Sequence, residues 1–434
     1  MSTKPTSAGR ARRRGPALAA SVAAAALLLT ACGGGDDEAS EGGDGKVTLS
    51  ISTFNEWGYE ELLEEYQEAN PNVEIVHDKK ATSNNARDNL NTKLAAGSGL
   101  SDIEGIEVDW LPELKQYPDQ FADLASPEVE DRWLDWKVDN ATTEDGKLIG
   151  YGTDVGPQAI CYRSDLFAAA GLPTDREEVA ELLEGDWDHY FEIGEQFTAK
   201  SDAAWYDSAM SAYQGMINQV ENAYEENDGT VIATENSEVK DIYNQVLENS
   251  VDKDLSAHLQ LWSDDYEAGF QSGAFATTFC PGWMLGSIEG NAAGVEGWDI
   301  ANVFPGGGGN WGGSYLTVPT QGKNQEEAIK LAQWLTAPEQ QIKAFASKGT
   351  FPSQVEAYEM EELTGSTNEF FNDAPVGQIL ADRAEAVTVT PFKGQNYFAI
   401  NDSMQQALDR VDVLKSDDPE SSWKKFVTGV EALQ

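Results

Sequence analysis

This sequence predicts an α/β fold with a mostly parallel sheet, in a body large enough for two lobes or domains. Two observations carry that prediction. From residue 46 onward, short runs rich in β-branched and apolar residues alternate with segments whose apolar residues recur at a helical period. That is the pattern of a sheet built from strand–helix–strand units. The chain also has 434 residues, 40% of them hydrophobic and 10% aromatic, enough to bury a large core and too apolar for a disordered acidic tail.

A different kind of segment precedes that body. Lys4, Arg10, Arg12, Arg13 and Arg14 stand among the first 15 residues without any acid. The apolar run PALAASVAAAALLLTA (16–31) follows, shorter than the roughly 20 residues a membrane-spanning helix needs. A basic start, a short apolar stretch and small residues at its end predict a secretory signal over 1–31. Leu29-Thr30-Ala31-Cys32 matches the lipobox of bacterial lipoproteins, which would make Cys32 the lipidated first residue of the mature chain. The alternative is an ordinary signal peptide with a chance cysteine. Residues 32–45, rich in glycine and acid, predict a flexible, self-repelling tether that reaches roughly 20 Å.

Within the body, KVTLSISTF (46–54) reads as a first strand. Tyr59, Leu62, Leu63 and Tyr66 follow a helical period stopped by Asn70-Pro71. NVEIVHD (72–78) is a second strand, and Ala86, Leu90 and Leu94 mark a helix closed by Gly97. SDIEGIEVD (101–109) is a third strand. Ligands of such sheets bind beyond the carboxyl ends of the strands, which here means Asn55, Glu56 and Trp57, then Asp109 and Trp110. KLIGYGTDVGPQAICYRSDLF (147–167), broken by Gly152, Gly156 and Pro157, has the look of a crossing between lobes. Thr174 with Glu177 predicts a capping box for the next helix, and helical patterns dominate from there to about residue 270. GAFATTFCPGWM (273–284) is a strand ending in a turn at Trp283. DIANVFP (299–305) leads through GGGGNWGG (306–313) into the strand SYLTVPT. Helices over Glu326–Leu335 and Pro338–Ala346 end at Gly349 and Pro352, and a last helix carries Ile400, Met404, Leu408 and Val411 on one face.

Charge narrows the partners. The chain has 29 Lys plus Arg against 75 Asp plus Glu, a net −46. The signal segment holds five of the bases and no acid, so the remaining 403 residues carry about −51. Such a surface repels phosphate backbones and anionic headgroups, so nucleic acid is not expected and the membrane is reached through Cys32 only. Small neutral or cationic ligands stay open. Gly307 to Gly312 fit G-x-G-x-x-G, but a strand follows where a dinucleotide site needs a helix. His77, His189 and His258 are isolated, and neither a metal motif nor a cofactor motif is present. Cys161 and Cys280 would lie outside the cell, where a disulfide is favoured over two buried thiols.

Taken in order, several segments resemble one family: FNEWGYEELLEEYQEANPNVEI, LNTKLAAGSGLSDIEGIEV, YGTDVGPQAICYRSDLFAAAGLP, FATTFCPGWM, GGSYLTVPT with EEAIKLAQWLTAPEQQ, and KGTFPS. Together with the lipobox they look like the lipid-anchored solute-binding proteins of carbohydrate ABC transporters. This is extracellular solute-binding protein family 1, the maltose-binding-protein-like class. The LNTKLAAGSGL stretch looks most like its cellobiose- and oligosaccharide-binding members. The resemblance implies a two-lobed type II periplasmic-binding-protein fold, hinged about a cleft. One lobe would be 46–152 plus 302–351 and the other 153–301 plus 352–434, with crossings near Thr153, Ala301 and Pro352. It implies a monomeric, non-enzymatic receptor on the outer face of the membrane, without cofactor, handing an oligosaccharide to an ABC permease.

A sugar offers hydroxyl edges and an apolar C–H face, so a cleft that binds it needs carboxylates or amides and flat rings. Asn55, Glu56 and Trp57 supply all three in one loop. The family's pattern adds Asp109 with Trp110, Asp154 in the crossing segment, Trp283 as a stacking platform and Trp311 with Ser314 in the glycine-rich loop. It also adds Tyr213 and Tyr397, with Trp262 as an outside candidate. The alternative function is a secreted glycoside hydrolase, whose chemistry needs two carboxylates about 5–10 Å apart. A lipid-anchored adhesion or structural protein is a third reading, one with no use for hinge segments.

Overall fold

A computed structural model describes residues 46–434. The expected signal peptide 1–31, the Cys32 anchor and the tether 32–45 lie outside the described residues. In chain order the strands are β1 Val47–Phe54, β2 Val73–Lys80, β3 Ile103–Glu107, β4 Tyr151–Gly152, β5 Asp154–Val155, β6 Gln158–Arg163, β7 Ala204–Tyr206, β8 Phe275–Pro281, β9 Trp298–Ala301, β10 Ser314–Thr317 and β11 Phe351–Pro352. They form a five-stranded sheet β2-β1-β3-β10-β4, a four-stranded sheet β7-β8-β6-β9, and the pair β11-β5.

Each large sheet has its own hydrophobic core. The first core takes Leu49, Ile51, Ile103, Ile106 and Tyr151 from the early chain, then Tyr315, Leu316, Leu331 and Leu335. The second takes Ile160, Phe279 and Ile300 from its sheet, with Leu380, Ile400, Met404 and Phe426 from the last third. The helices behave as their apolar periods require. Glu60–Ala69 buries Leu62, Leu63 and Tyr66, and Ser83–Ala96 starts at a Thr82 cap and stops at left-handed Gly97. The cap of Arg176–Leu183 differs from expectation. Asp175, not Thr174, accepts from the Glu177 and Glu178 amides, because its carboxylate stands next to the first turn.

The sheets are less parallel than expected. β1 runs parallel to β2 and β3, and β7 to β8, but β10 is antiparallel to both neighbours and β6 to both of its own. Helical crossovers return a strand in the same direction. β10 instead enters the first sheet straight from the other core, so no crossover reverses it. Core packing also moves one crossing. β9 pairs through Ala301, and Val303, Phe304 and Trp311 remain in the second core. Tyr315 is in the first core. Core membership therefore changes between Trp311 and Tyr315.

The crossings lie against one another. Phe351 pairs with Val155 and Pro352 with Asp154. The Gln158 amide donates to the Gly309 carbonyl (2.9 Å) and the Trp311 amide to the Gly156 carbonyl (2.8 Å). A side chain at Gly156 would overlap the Trp311 carbonyl, so this approach requires glycine. Cys161 on β6 and Cys280 on β8 are joined by a disulfide, with Cα atoms 5.5 Å apart, and both are fully buried.

Candidate functional site

A cavity of about 340 Å³ opens between the two cores and takes its walls from both. On the first-lobe side, Phe54 to Trp57 follow β1. Thr82 to Asn84 open the helix after β2, and Glu107 and Asp109 close β3. Asn55 adopts a left-handed φ of 49°, a conformation asparagine tolerates, which turns the chain sharply at the strand end. On the other side stand Met210, Gln214, Trp262, Trp283 and Trp311, and one face of the helix Tyr397–Asp412 with Phe398, Asn401, Asp402 and Gln405. Asp154, Gly312, Gly313 and Ser314, where the crossings meet, form the floor.

Three indoles build the second-lobe wall. Trp283 packs edge-on against Trp311 at 5.3 Å between centroids and lies 5.9 Å from Trp262. Its Nε1–H donates to the Trp311 carbonyl (2.9 Å), which fixes the ring. Trp262, 40% exposed, holds a left-handed φ of 66°, unusual for a bulky residue and a form of strain that clusters at ligand sites. Trp57 lines the cavity but is mostly buried, edge-on to Phe54 and Tyr59.

The charged groups are held differently. Asp109 at the end of β3 is ion-paired to Lys393, which lies before the helix Tyr397–Asp412, and both side chains are buried. This contact joins the two lobes. Asp154 Oδ1 accepts from the Thr153 hydroxyl and the Ser314 amide, both at 2.8 Å. Burial raises its carboxyl above the ordinary value, and Lys137 opposes that shift. Lys137 is itself buried 3.9 Å above the Tyr315 ring, its Nζ without a hydrogen-bond partner among the described residues, and burial pulls its ammonium down to about 7. Glu107 is pushed well up, first by burial and then by Asp109. Glu56 pairs with Lys79 at 2.7 Å on a half-exposed rim.

The comparisons with known proteins agree with this geometry. The profile of the bacterial extracellular solute-binding protein family matches residues 61–372. This chain belongs to that family. A crystal structure described as an extracellular solute-binding protein of family 1 is 49% identical, with a TM-score of 0.79 over 89% of this chain and 99% of its own. The B. animalis subsp. lactis Bl-04 ABC-transporter binding protein in complex with β-1,6-galactobiose is 18% identical, with a TM-score of 0.75 over 89% and 96%. The GacH receptor of Streptomyces glaucescens, studied unliganded and with acarbose, is 16% identical, with a TM-score of 0.69 over 89% and 99%. These structures share the two-lobed type II fold. Among curated proteins no sequence match is found.

In this solute-binding protein the residues singled out from sequence fall into two tiers. Asn55, Glu56, Trp57, Asp109, Asp154, Trp283, Trp311 and Ser314 line the cavity, as does Trp262. Trp110, Tyr213 and Tyr397 do not. All three are buried behind the wall, which corrects the expectation that they face the ligand directly. Trp110 starts the turn after Asp109, so its ring points the other way and its Nε1–H donates to Ser83 Oγ at 2.9 Å. Tyr213 bonds Tyr224 (2.9 Å), which donates to Asn401 at 3.1 Å. Tyr397 packs on Tyr224 at 5.1 Å. Trp110 thus supports Ser83 directly, and Tyr213 and Tyr397 support Asn401 through Tyr224. Sequence reading missed Glu107, Gln214, Lys393, Asn401, Asp402 and Gln405. The polar positions 401, 402 and 405 beside the apolar stripe of the last-third helix were the available signal. Among the described residues no cluster of three or more His, Cys, Asp or Glu suits a metal ion, and no helix is long and apolar enough to cross a membrane.

Proposed function

We propose that this protein is an extracellular, lipid-anchored, non-enzymatic receptor that binds an oligosaccharide between its lobes and delivers it to an ABC permease. The observation that carries the reading is the cavity itself: one wall with three indoles beside Gln214, Asn401 and Gln405, and an opposite wall with Asn55, Glu56, Trp57, Glu107 and Asp109. A ligand touching both walls stabilises the closed arrangement through contacts that an open one lacks. The rings suit a sugar's C–H face, and Asn55, Gln214, Asn401 and Asp109 suit its hydroxyls. Family membership supports the receptor role. The galactobiose and acarbose complexes are properties of those relatives and support the choice of ligand class by analogy. Anchoring through Cys32 rests on the lipobox, and the lobe limits rest on the two cores, with the crossings at Thr153, Gly312–Ser314 and Pro352. Family membership favours the receptor over the hydrolase reading.

A titration of tryptophan fluorescence with a panel of di- and oligosaccharides tests the proposal, since Trp262, Trp283 and Trp311 all line the cavity. Saturable quenching or a raised melting temperature is expected for at least one saccharide. A panel without any response refutes the sugar reading, and steady release of monosaccharide would replace it with the hydrolase.

A further inference from the structure

The loop that carries Trp262 into the cavity is strained along its whole length. Of the eight non-glycine residues with left-handed φ among the described residues, three fall within 254–262: Asp254 at 55°, His258 at 55° and Trp262 at 66°. Such a backbone persists only where surrounding contacts over-determine it. Leu261 and Trp262 line the cavity, and Ser263 then caps the helix Asp264–Ser272.

The contacts that hold the loop converge on His258. Its Nδ1 lies 2.6 Å from Asp412 Oδ1 and its Nε2 lies 3.0 Å from Asp254 Oδ1. A carboxylate only accepts, so both ring nitrogens must carry hydrogen, and that form is the imidazolium. A neutral ring has one hydrogen and would turn a lone pair toward one of the two carboxylates. Asp412 is buried and also accepts from the Ser256 hydroxyl and the Ala209 amide, both at 3.0 Å. Ser256 Oγ in turn accepts from the His258 amide at 2.9 Å. Asp412 ends the helix Tyr397–Asp412, which presents Asn401, Asp402 and Gln405 to the cavity. His258 therefore ties the loop bearing Trp262 to the helix bearing those polar groups.

The other charges around this clasp are engaged. On the same helix Asp409 faces Gln260 at 3.5 Å, and Arg410 is turned to Asp417 and Ser422. Lys253, before the loop, pairs with Glu195. Asp207, ahead of the helix Ala209–Ile217, accepts from Ser211 and Thr278. The hydrogen bond to Asp412 holds the imidazole above its ordinary 6.5, with help from the Asp412 charge and Asp254, while burial and Lys415 oppose it. The clasp is thus complete below about 6.5 and released as pH rises through the raised value.

We propose that His258, as an imidazolium clasped between Asp254 and Asp412, is a positioning residue that sets the Trp262 ring in the cavity and makes ligand affinity fall as pH rises. The receptor reading enters only in taking Trp262 as a ring that meets ligand.

NMR of the histidine rings and tryptophan indoles in the ligand-free mature chain tests this, with His258→Gln and Trp262→Phe used to assign the two signals. The His258 ring should titrate above 6.5, and the Trp262 indole N–H should shift with the same midpoint. That shift should vanish in His258→Gln. A Trp262 signal that stays in place while His258 titrates would overturn the proposal, as would one that shifts identically in His258→Gln. The two wild-type midpoints decide the matter even if the variant folds poorly. The fluorescence titration, repeated at about pH 6 and about pH 8.5, reads the binding side. The strongest-binding saccharide of the panel should lose at least about threefold in affinity at the higher pH, and less in His258→Gln. Equal wild-type affinities would overturn the proposal. A panel without response overturns the sugar reading alone, because the NMR midpoints need no ligand.

Discussion

Removing the Lys393 ammonium tests whether the ion pair with Asp109 helps hold the lobes together. Lys393 lies between the helices Val376–Glu385 and Tyr397–Asp412 of one lobe, and Asp109 ends β3 of the other. Their side chains are only 6% and 11% exposed. Taking one partner from a buried pair costs about 3–5 kcal/mol, because the other charge is left unpaired. The cavity beside Asp109 admits water, so about 2 kcal/mol is the fitting figure for the closed form of Lys393→Met. In an open form Asp109 is solvated and the cost vanishes. The open population therefore rises about 30-fold relative to the closed one, and ligand affinity falls by a similar factor. Small-angle scattering without ligand should show a larger radius of gyration, and calorimetry the weaker binding. Replacing both residues, Asp109→Asn with Lys393→Met, should recover part of the closed population, since no orphan charge remains. An unchanged radius together with an affinity within about threefold of wild type would refute the latch.

Three further outcomes follow from named contacts. Trp283→Ala removes a ring face of roughly 60–80 Å², about 2 kcal/mol or about 30-fold in affinity, with the circular dichroism spectrum preserved; unchanged calorimetric affinity would take Trp283 out of the site. A thiol titration of the unfolded, unreduced mature chain should find no free cysteine, and reduction should lower stability by up to about 4–5 kcal/mol on the loop-entropy account; two reactive thiols would exclude the bridge between Cys161 and Cys280. Burial raises the Asp207 carboxyl to about 6, so its contribution is present below the unfolded value and is lost as pH rises toward and through about 6, by up to about 3 kcal/mol. Asp207→Asn should flatten that part of the stability profile between pH about 4 and 6, and an identical slope in chemical denaturation would contradict it.

The loops after β1 and β3 were legible because a parallel strand–helix pattern points its carboxyl ends at the ligand whatever the ligand is. Trp283 and Trp311 were legible only through the resemblance to the family, whose pattern places aromatic rings at those positions. Trp110, Tyr213 and Tyr397 show where that reasoning stops. A turn or helix reverses the direction of a ring within one residue, and sequence spacing does not say which side of the wall it faces. The helix Tyr397–Asp412 was recognised by Ile400, Met404, Leu408 and Val411, and that apolar stripe hid the use of its other face, where Asn401, Asp402 and Gln405 meet the cavity. Lys393 lies in a stretch with no periodicity at all. Its role depends on a partner 284 residues away, and no local pattern encodes such a pairing. The antiparallel run of β10 escaped for the same reason, since strand direction there depends on how the chain comes back from the other lobe.

The glycine-rich stretch 306–313 gains a physical explanation from this placement. Its G-x-G-x-x-G match lacks the following helix that a dinucleotide site needs; in the fold it is where one crossing is laid directly on another. The Gly156 amide donates to Asn310 Oδ1 at 2.8 Å, and Asn310 in turn donates to the Gly312 carbonyl at 3.0 Å. Side chains in that layer would hold the crossings apart and separate Trp283 and Trp311 from the floor formed by Asp154 and Ser314. Backbone packed on backbone lets the connection stay thin, and a thin connection bends with little loss of packed area while both cores remain intact. A substitution that fills this layer is therefore expected to disturb closure, whereas one in either core disturbs stability alone.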